Sequence, residues 1–235
     1  YLQSYSNTYG DINRLGELLG AVEPYLGGPV RCVSVATRPD CLTDEALQLL
    51  AKLSKRVPVW LELGLESAND QVLLDINRLH TLDEFFDAVK RAHQAGLSTV
   101  GHAILGLPGD GREGARATAE ALGQAGCAGV KLHHLMVLEK TRMAHDWREG
   151  NLEVLELETY LEWAADFIER LHPDQVVHRM TGEAPPEKLI APQFGVHKTA
   201  IRERLTEVLS KRGTRQGSAY AGGSDALLQH QGTQP

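Results

Sequence analysis

Short apolar runs alternate with longer amphipathic stretches along this chain. The Val-rich run 30–37 reads as a strand, as do 58–65, 97–105, 130–137 and a last short run at 175–180. Helices are expected between them, over 15–26, 43–56, 69–77, 81–95, 113–125, 160–171 and 198–211. In 81–95 the residues Leu82, Phe85, Phe86, Val89 and Ala92 recur at helical spacing, and Gly96 closes the run. Thr43 stands at an N-cap with Asp44 and Glu45 behind it, where acidic groups complement the helix dipole. Strands separated by helices mean βαβ units and a parallel sheet. The spacing of the runs, roughly 30–40 residues, is the size of one such unit. An open or closed β/α barrel is expected, with a doubly wound sheet as the alternative.

The strand patterns add a second feature. Side chains alternate between the two faces of a strand. Leu61, Leu63 and Leu65 therefore share one face, and Trp60, Glu62, Gly64 and Glu66 the other. Ser34, Ala36 and Arg38 fall opposite Val33 and Val35, and Val100, His102, Ile104 and Gly106 fall together. Lys131 and His133 lie opposite Val130, Leu132 and His134. An ordinary closed barrel fills its interior with branched apolar layers. Here one face carries Arg38, Glu62, Glu66, His102 and Lys131. Buried charges are costly unless paired or used. That face is expected to line a binding cavity at the C-terminal strand ends, where parallel β/α folds place their ligands. A structural ion-pair cluster, Glu62 with Lys131, is the competing reading.

Composition narrows the partners. The 235 residues carry a formal net charge of -7, which argues against a dedicated nucleic-acid surface. No apolar run approaches the roughly 18 residues of a membrane span. The three cysteines, Cys32, Cys41 and Cys127, match no disulfide or metal framework, and a reducing cytoplasm fits them. His133 and His134 are adjacent on a strand, so they point to opposite faces and cannot chelate one ion without a bulge. No metal ligands are expected among these residues. From Gly213 the chain turns to Gly, Ser, Gln and Thr, and 213–235 is expected to be a disordered tail.

Six segments, in order, carry a family resemblance. They are Gln3-Ser4-Tyr5-Ser6-Asn7-Thr8-Tyr9, Thr37-Arg38-Pro39-Asp40-Cys41-Leu42 and Glu62-Leu63-Gly64-Leu65-Glu66-Ser67-Ala68-Asn69-Asp70. Then follow Ile76-Asn77-Arg78-Leu79-His80, Ile104-Leu105-Gly106-Leu107-Pro108-Gly109, and His178-Arg179-Met180-Thr181-Gly182 ahead of Leu189-Ile190-Ala191-Pro192. Together they resemble the YhcC-type radical S-adenosylmethionine (radical SAM) proteins. That group belongs to a superfamily including the elongator-type and oxygen-independent coproporphyrinogen oxidase-type enzymes.

The resemblance implies an α/β fold, a partial (β/α)6 TIM-like barrel, over 1–212 with a C-terminal helical extension. It implies a [4Fe–4S] cluster held by three cysteines, S-adenosylmethionine chelating the fourth iron, and an electron donor such as flavodoxin or ferredoxin. It places Gln3, Ser4 and Asn7 near the methionine amino group, and Glu66 and Ser67 toward the ribose and methionine. Arg78 would face the methionine carboxylate, and Gly106 and Pro108 would stand where adenine approaches. His102 points into the same cavity. Relatives often carry Gln where Glu66 stands. The cluster motif C-x-n-C-x-x-C, expected ahead of the Gln3 loop, is not in this sequence. Its ligands are expected in an N-terminal part preceding Tyr1, with the first strand of the barrel.

Two other functions stay open on the residues. A cluster-free β/α-barrel lyase would need a nucleophilic lysine, and Lys131 is the candidate. A non-catalytic module could bind a partner through an apolar sheet edge. The pair His178-Arg179 could contact substrate or be an ordinary strand edge. The substrate itself is not legible.

Overall fold

Five parallel strands in sequential spatial order form the centre of the fold. A computed structural model of the chain describes residues 1–3 and 6–222. In chain order its elements are α1 (Ile12–Val22), β1 (Val33–Thr37), α2 (Asp44–Ser54), β2 (Val59–Glu66), α3 (Asp70–Asp75) and α4 (Leu82–Gln94). Then come β3 (Ser98–Leu105), α5 (Gly111–Gln124), β4 (Gly129–His134), β5 (Val137–Leu138), α6 (Arg142–Arg148) and α7 (Leu157–Arg170). Last are β6 (Val176–Arg179), β7 (Leu189–Ala191) and α8 (Lys198–Arg212). The sheet runs β1-β2-β3-β4-β6. At its β1 edge Leu2 adds a parallel bridge to Val35, with Leu2 N–H donating to Ser34 O at 2.9 Å. The expected α/β class with a parallel sheet is what the chain adopts.

Leu61, Leu63 and Leu65 are fully buried on the helix-facing side of β2, against a core that includes Leu50, Phe85 and Val89. Each such side chain contributes roughly 1.5–3 kcal/mol through the water it leaves. Gly101 lets α5 close on β3, because a Cβ there would stand 2.2 Å from Leu122 Cδ2. The alternation read from the sequence is thus the alternation of core and cavity.

Two expectations change. The run 130–137 is not one strand: β4 stops at His134, and Val137–Leu138 pairs antiparallel with β7 in a separate two-stranded sheet. Apolar content alone cannot show such a break, because Leu135 within it and Val137 beyond it are both buried. Residues 213–222, expected to belong to a disordered tail, are also packed against the protein. Gly213 closes α8 at φ 66°, and the following segment is tied to the end of α7. Ala219 N–H donates to Glu169 O at 2.7 Å, and Gln216 Nε2 donates to His172 O and Gln175 O. Tyr220 meets the His172 ring edge-on at 5.0 Å. Residues 223–235 lie outside the described residues.

One carboxylate joins the outer helices. Asp166 of α7, 3% exposed, accepts from Arg112 Nε and NH2 at 2.5 and 2.9 Å, from Arg116 Nε at 2.8 Å and from Arg212 NH1 at 2.9 Å. Burial would raise its pKa, but the hydrogen bonds from three arginines outweigh that and hold it well below the ordinary carboxylate range. A depressed carboxylate contributes stability above its unfolded-state pKa and loses it as the pH falls. Asp166→Asn is expected to lower unfolding stability by about 2 kcal/mol at pH 7. Urea denaturation with an unchanged m-value checks this, and the gap from the unsubstituted chain should narrow as the pH falls below the carboxylate range.

Candidate functional site

The strand ends open into a cavity of about 430 Å³. Residues in register across parallel neighbours share a face. Gly64 of β2 stands beside His102 of β3, His102 beside Lys131 of β4, and Lys131 beside Arg179 of β6. Ala36 of β1 stands beside Glu62. The polar face read from the sequence therefore becomes one continuous wall, lined by Arg38, Glu62, Glu66, His102 and Arg179, among others.

Glu62 anchors that wall. It is 2% exposed, and four side chains donate to it. Tyr1 Oη donates to Oε2 at 2.6 Å, Lys131 Nζ donates to both oxygens at 2.7 and 2.6 Å, and Ser34 Oγ donates to Oε1. His102 Nε2 lies 2.8 Å from Oε2. Burial alone would raise the Glu62 pKa, yet the bonds from His102, Lys131, Ser34 and Tyr1 hold it below the ordinary range. Burial, reinforced by the Glu62 charge, pushes the Tyr1 phenol above its ordinary value. Lys131 Nζ also sits 4.3 Å from the Tyr1 ring centroid. The ion pair Glu62–Lys131 forms as well: its Glu62 lines the cavity, while Lys131, expected on the lining, is buried and does not line it.

His133 stacks on His102 with ring centroids 5.5 Å apart. Burial, with the charges of its neighbours adding, pushes its pKa down to about 3, so it is neutral at physiological pH. Its Nε2 is buried without a hydrogen-bond partner. His134 points the other way, 3.1 Å from Thr181 Oγ1 and against Tyr160 and Phe194.

The cavity's second charged corner is built by a bulge. The β2–β3 register slips between Gly64 and Glu66, and Glu66 takes φ 67°, a left-handed conformation that costs a non-glycine residue energy. Its Oε1 pairs with Arg78 NH2 at 3.1 Å. Arg78 NH2 also donates to Gly64 O at 3.3 Å, while Arg78 Nε is buried without a partner. Gly64 is required beneath them: a Cβ there would meet Glu66 Oε1 at 2.3 Å and Arg78 NH2 at 2.5 Å.

The expected site residues divide. Gln3, Arg38, Glu62, Glu66, Arg78 and His102 line the cavity. Arg38 is held by Asp40, its Nε donating at 2.9 Å. Asn7 Nδ2 donates to Leu2 O and Ala36 O, an arrangement that ties the opening loop to β1. Ser67 does not reach the cavity; it is fully buried, donates to Asp110 at 2.7 Å and accepts from Asn69 N–H. The bulge before it turns its side chain toward α5. Gly106 and Pro108 do not line the cavity either: Leu155 covers Gly106, whose Cβ position lies 2.8 Å from Leu155 Cγ, and Pro108 is exposed. Ser4 lies outside the described residues. Tyr1 and His133 line the cavity beyond the residues expected there. His133 shares the face of Lys131 two residues before it, which was the available signal.

An amino-acid terminus with its ammonium and carboxylate matches this corner. Glu66 offers an acceptor and Arg78 a guanidinium, and both line the cavity. The residues thus fit the methionine end of S-adenosylmethionine. They do not fit an iron–sulfur cluster. Among the described residues no three of His, Cys, Asp and Glu could hold a metal ion together, and Cys41 and Cys127 are buried. Burial pushes the Cys127 thiol up to about 12.

Comparison with known proteins agrees with this geometry. Residues 4–122 match the Radical SAM superfamily, and residues 127–211 match the Radical_SAM C-terminal domain. The Bacillus subtilis (strain 168) protein YtqA is 33% identical over 220 residues, covering 94% of this chain and 68% of its own length. Escherichia coli (strain K12) YhcC is 34% identical over 220 residues, covering 93% of this chain and 70% of its own. Among solved structures, archaeal Methanocaldococcus infernus Elp3 with an N-terminal deletion superposes with a TM-score of 0.71 at 21% identity, over 86% of this chain. The chain spans 46% of that protein, and the likeness gives the sheet its architecture as a TIM-barrel-like fold. The sheet order, the family matches over both halves and the relatives across nearly the whole length lead to one conclusion: the chain belongs to the radical SAM superfamily.

Proposed function

We propose that the chain binds S-adenosylmethionine in the cavity and, within a protein that also holds the cluster, takes part in its reductive cleavage. Bound together, the cofactor and a [4Fe–4S] cluster would supply a 5'-deoxyadenosyl radical, with an electron from a donor such as flavodoxin or ferredoxin. The observation that carries the reading is the Glu66–Arg78 corner over Gly64, which lines the cavity with a carboxylate and a guanidinium side by side. Glu66 would accept from the methionine ammonium and Arg78 would donate to the carboxylate; Gln3 lines the same cavity. Cluster ligands lie elsewhere in this reading, since the relatives are longer than the matched segment and the described residues provide no cysteine trio.

The lyase reading loses its nucleophile. Lys131 Nζ is committed to both oxygens of Glu62 and to Tyr1 Oη at 3.1 Å, whereas Schiff-base chemistry needs a free amine.

Three outcomes are expected. The complete reading frame, expressed anaerobically and reconstituted with iron and sulfide, should bind the ~4 irons of one cluster and form 5'-deoxyadenosine under reductant, while residues 1–235 alone should do neither. An iron-free longer protein would sink the proposal. In the chain itself, Arg78→Gln should weaken S-adenosylmethionine binding by about tenfold or more by calorimetry, and Arg78→Lys should restore little, because the forked contact is lost. Borohydride with simple aldehydes should leave Lys131 unmodified by mass spectrometry; a reduced adduct there would return the lyase reading.

A further inference from the structure

The charges around the cavity are paired except at one end. Arg38 is held by Asp40, Lys131 by Glu62, and Arg78 by Glu66. Arg179 makes no ion pair among the described residues, although it is half-buried at the end of β6 and lines the cavity. A guanidinium stripped of part of its hydration and given no counter-charge is costly. Glu62, the carboxylate of the same wall, is already saturated by Tyr1, Ser34, His102 and Lys131. Beside Arg179 stands His133, whose Nε2 is buried without a partner and donates in one of its two tautomers. This end of the cavity therefore offers donors and positive charge with nothing to receive them.

We infer that Arg179, with His133 beside it, forms a subsite for an anionic group on the substrate, a carboxylate or a phosphate. The inference rests on the reading of this cavity as the place where substrate meets S-adenosylmethionine. The Glu66–Arg78 corner belongs to the β2 end and Arg179 to β6, three strand spacings along the sheet. At most roughly 14 Å separates the two strands, enough to seat the two ligands side by side. The fork of Arg179 suits an anion with two oxygens in a plane, and the neutral His133 supplies a further hydrogen bond without a second charge to desolvate.

The test uses the chain at low ionic strength, with inorganic phosphate and acetate as probes. S-adenosylmethionine is titrated separately. Phosphate or acetate should bind, and Arg179→Gln should weaken that binding by about tenfold while leaving S-adenosylmethionine affinity unchanged. Arg78→Gln should do the reverse. Phosphate tighter than acetate points to a phosphorylated substrate, and the opposite order to a carboxylate. If S-adenosylmethionine binds no variant while anion binding still depends on Arg179, the cofactor reading fails and the subsite stands. Anion binding that is absent at millimolar concentration, or indifferent to Arg179→Gln, overturns the inference. Should Arg179→Gln fail to fold, the His133 ring resonances of the unsubstituted chain decide: they move with phosphate if the subsite exists and stay still if it does not.

Discussion

A single buried carboxylate organises the inner wall of this protein. Glu62 sits at the middle of β2, and its donors come from the opening residue, β1, β3 and β4. An unpaired carboxylate in that place would be intolerable, so each strand that brings a donor is held in register by the need to satisfy it. The row of Gly64, His102, Lys131 and Arg179 exists because those registers hold. The wall can remain polar, and open to a ligand, because its most expensive charge is already compensated.

The second corner works differently. Glu66 and Arg78 are opposed across a glycine, on a bulge that carries backbone strain. Strain of this kind persists only where the surroundings over-determine it. Here the Arg78 contacts to Glu66 and to Gly64 O supply that constraint, while the buried Arg78 Nε has no partner. In the proposed reading this pair exchanges its internal bond for those of a zwitterionic ligand. Glu62, with every acceptor position occupied, is suited to staying as it is.

Outside the barrel, the same logic holds the helical layer. Asp166 gathers arginines from α5 and α8, and Arg212 also reaches Glu169, the residue whose carbonyl receives Ala219 N–H. The C-terminal helix and the segment after it are thereby fastened to α7. Composition read this segment as the start of a tail, since Gly, Ser and Gln carry little apolar area. Its order comes from backbone and amide hydrogen bonds to the end of α7, which no local pattern announces.

The sequence by itself determined the parallel α/β class, the inward face of each main strand and the membership of Arg38, Glu62, Glu66 and His102 in one lining. Period-2 alternation fixes which face a residue takes, and ordered motifs fix which loops meet at the strand ends. Tertiary structure alone decided what depends on a neighbouring strand or a turn of the backbone. The bulge at Leu65 sends Ser67 away from the cavity, and Leu155 covers Gly106 from a distant loop. The break after His134 redirects Val137 to a second sheet. Tyr1 enters the Glu62 cluster from 61 residues away, and Arg179 makes no ion pair among the described residues, while its neighbour Lys131 holds Glu62. Pairing is a property of positions in space, and the linear order of residues specifies which charges exist but not which of them remain unmatched.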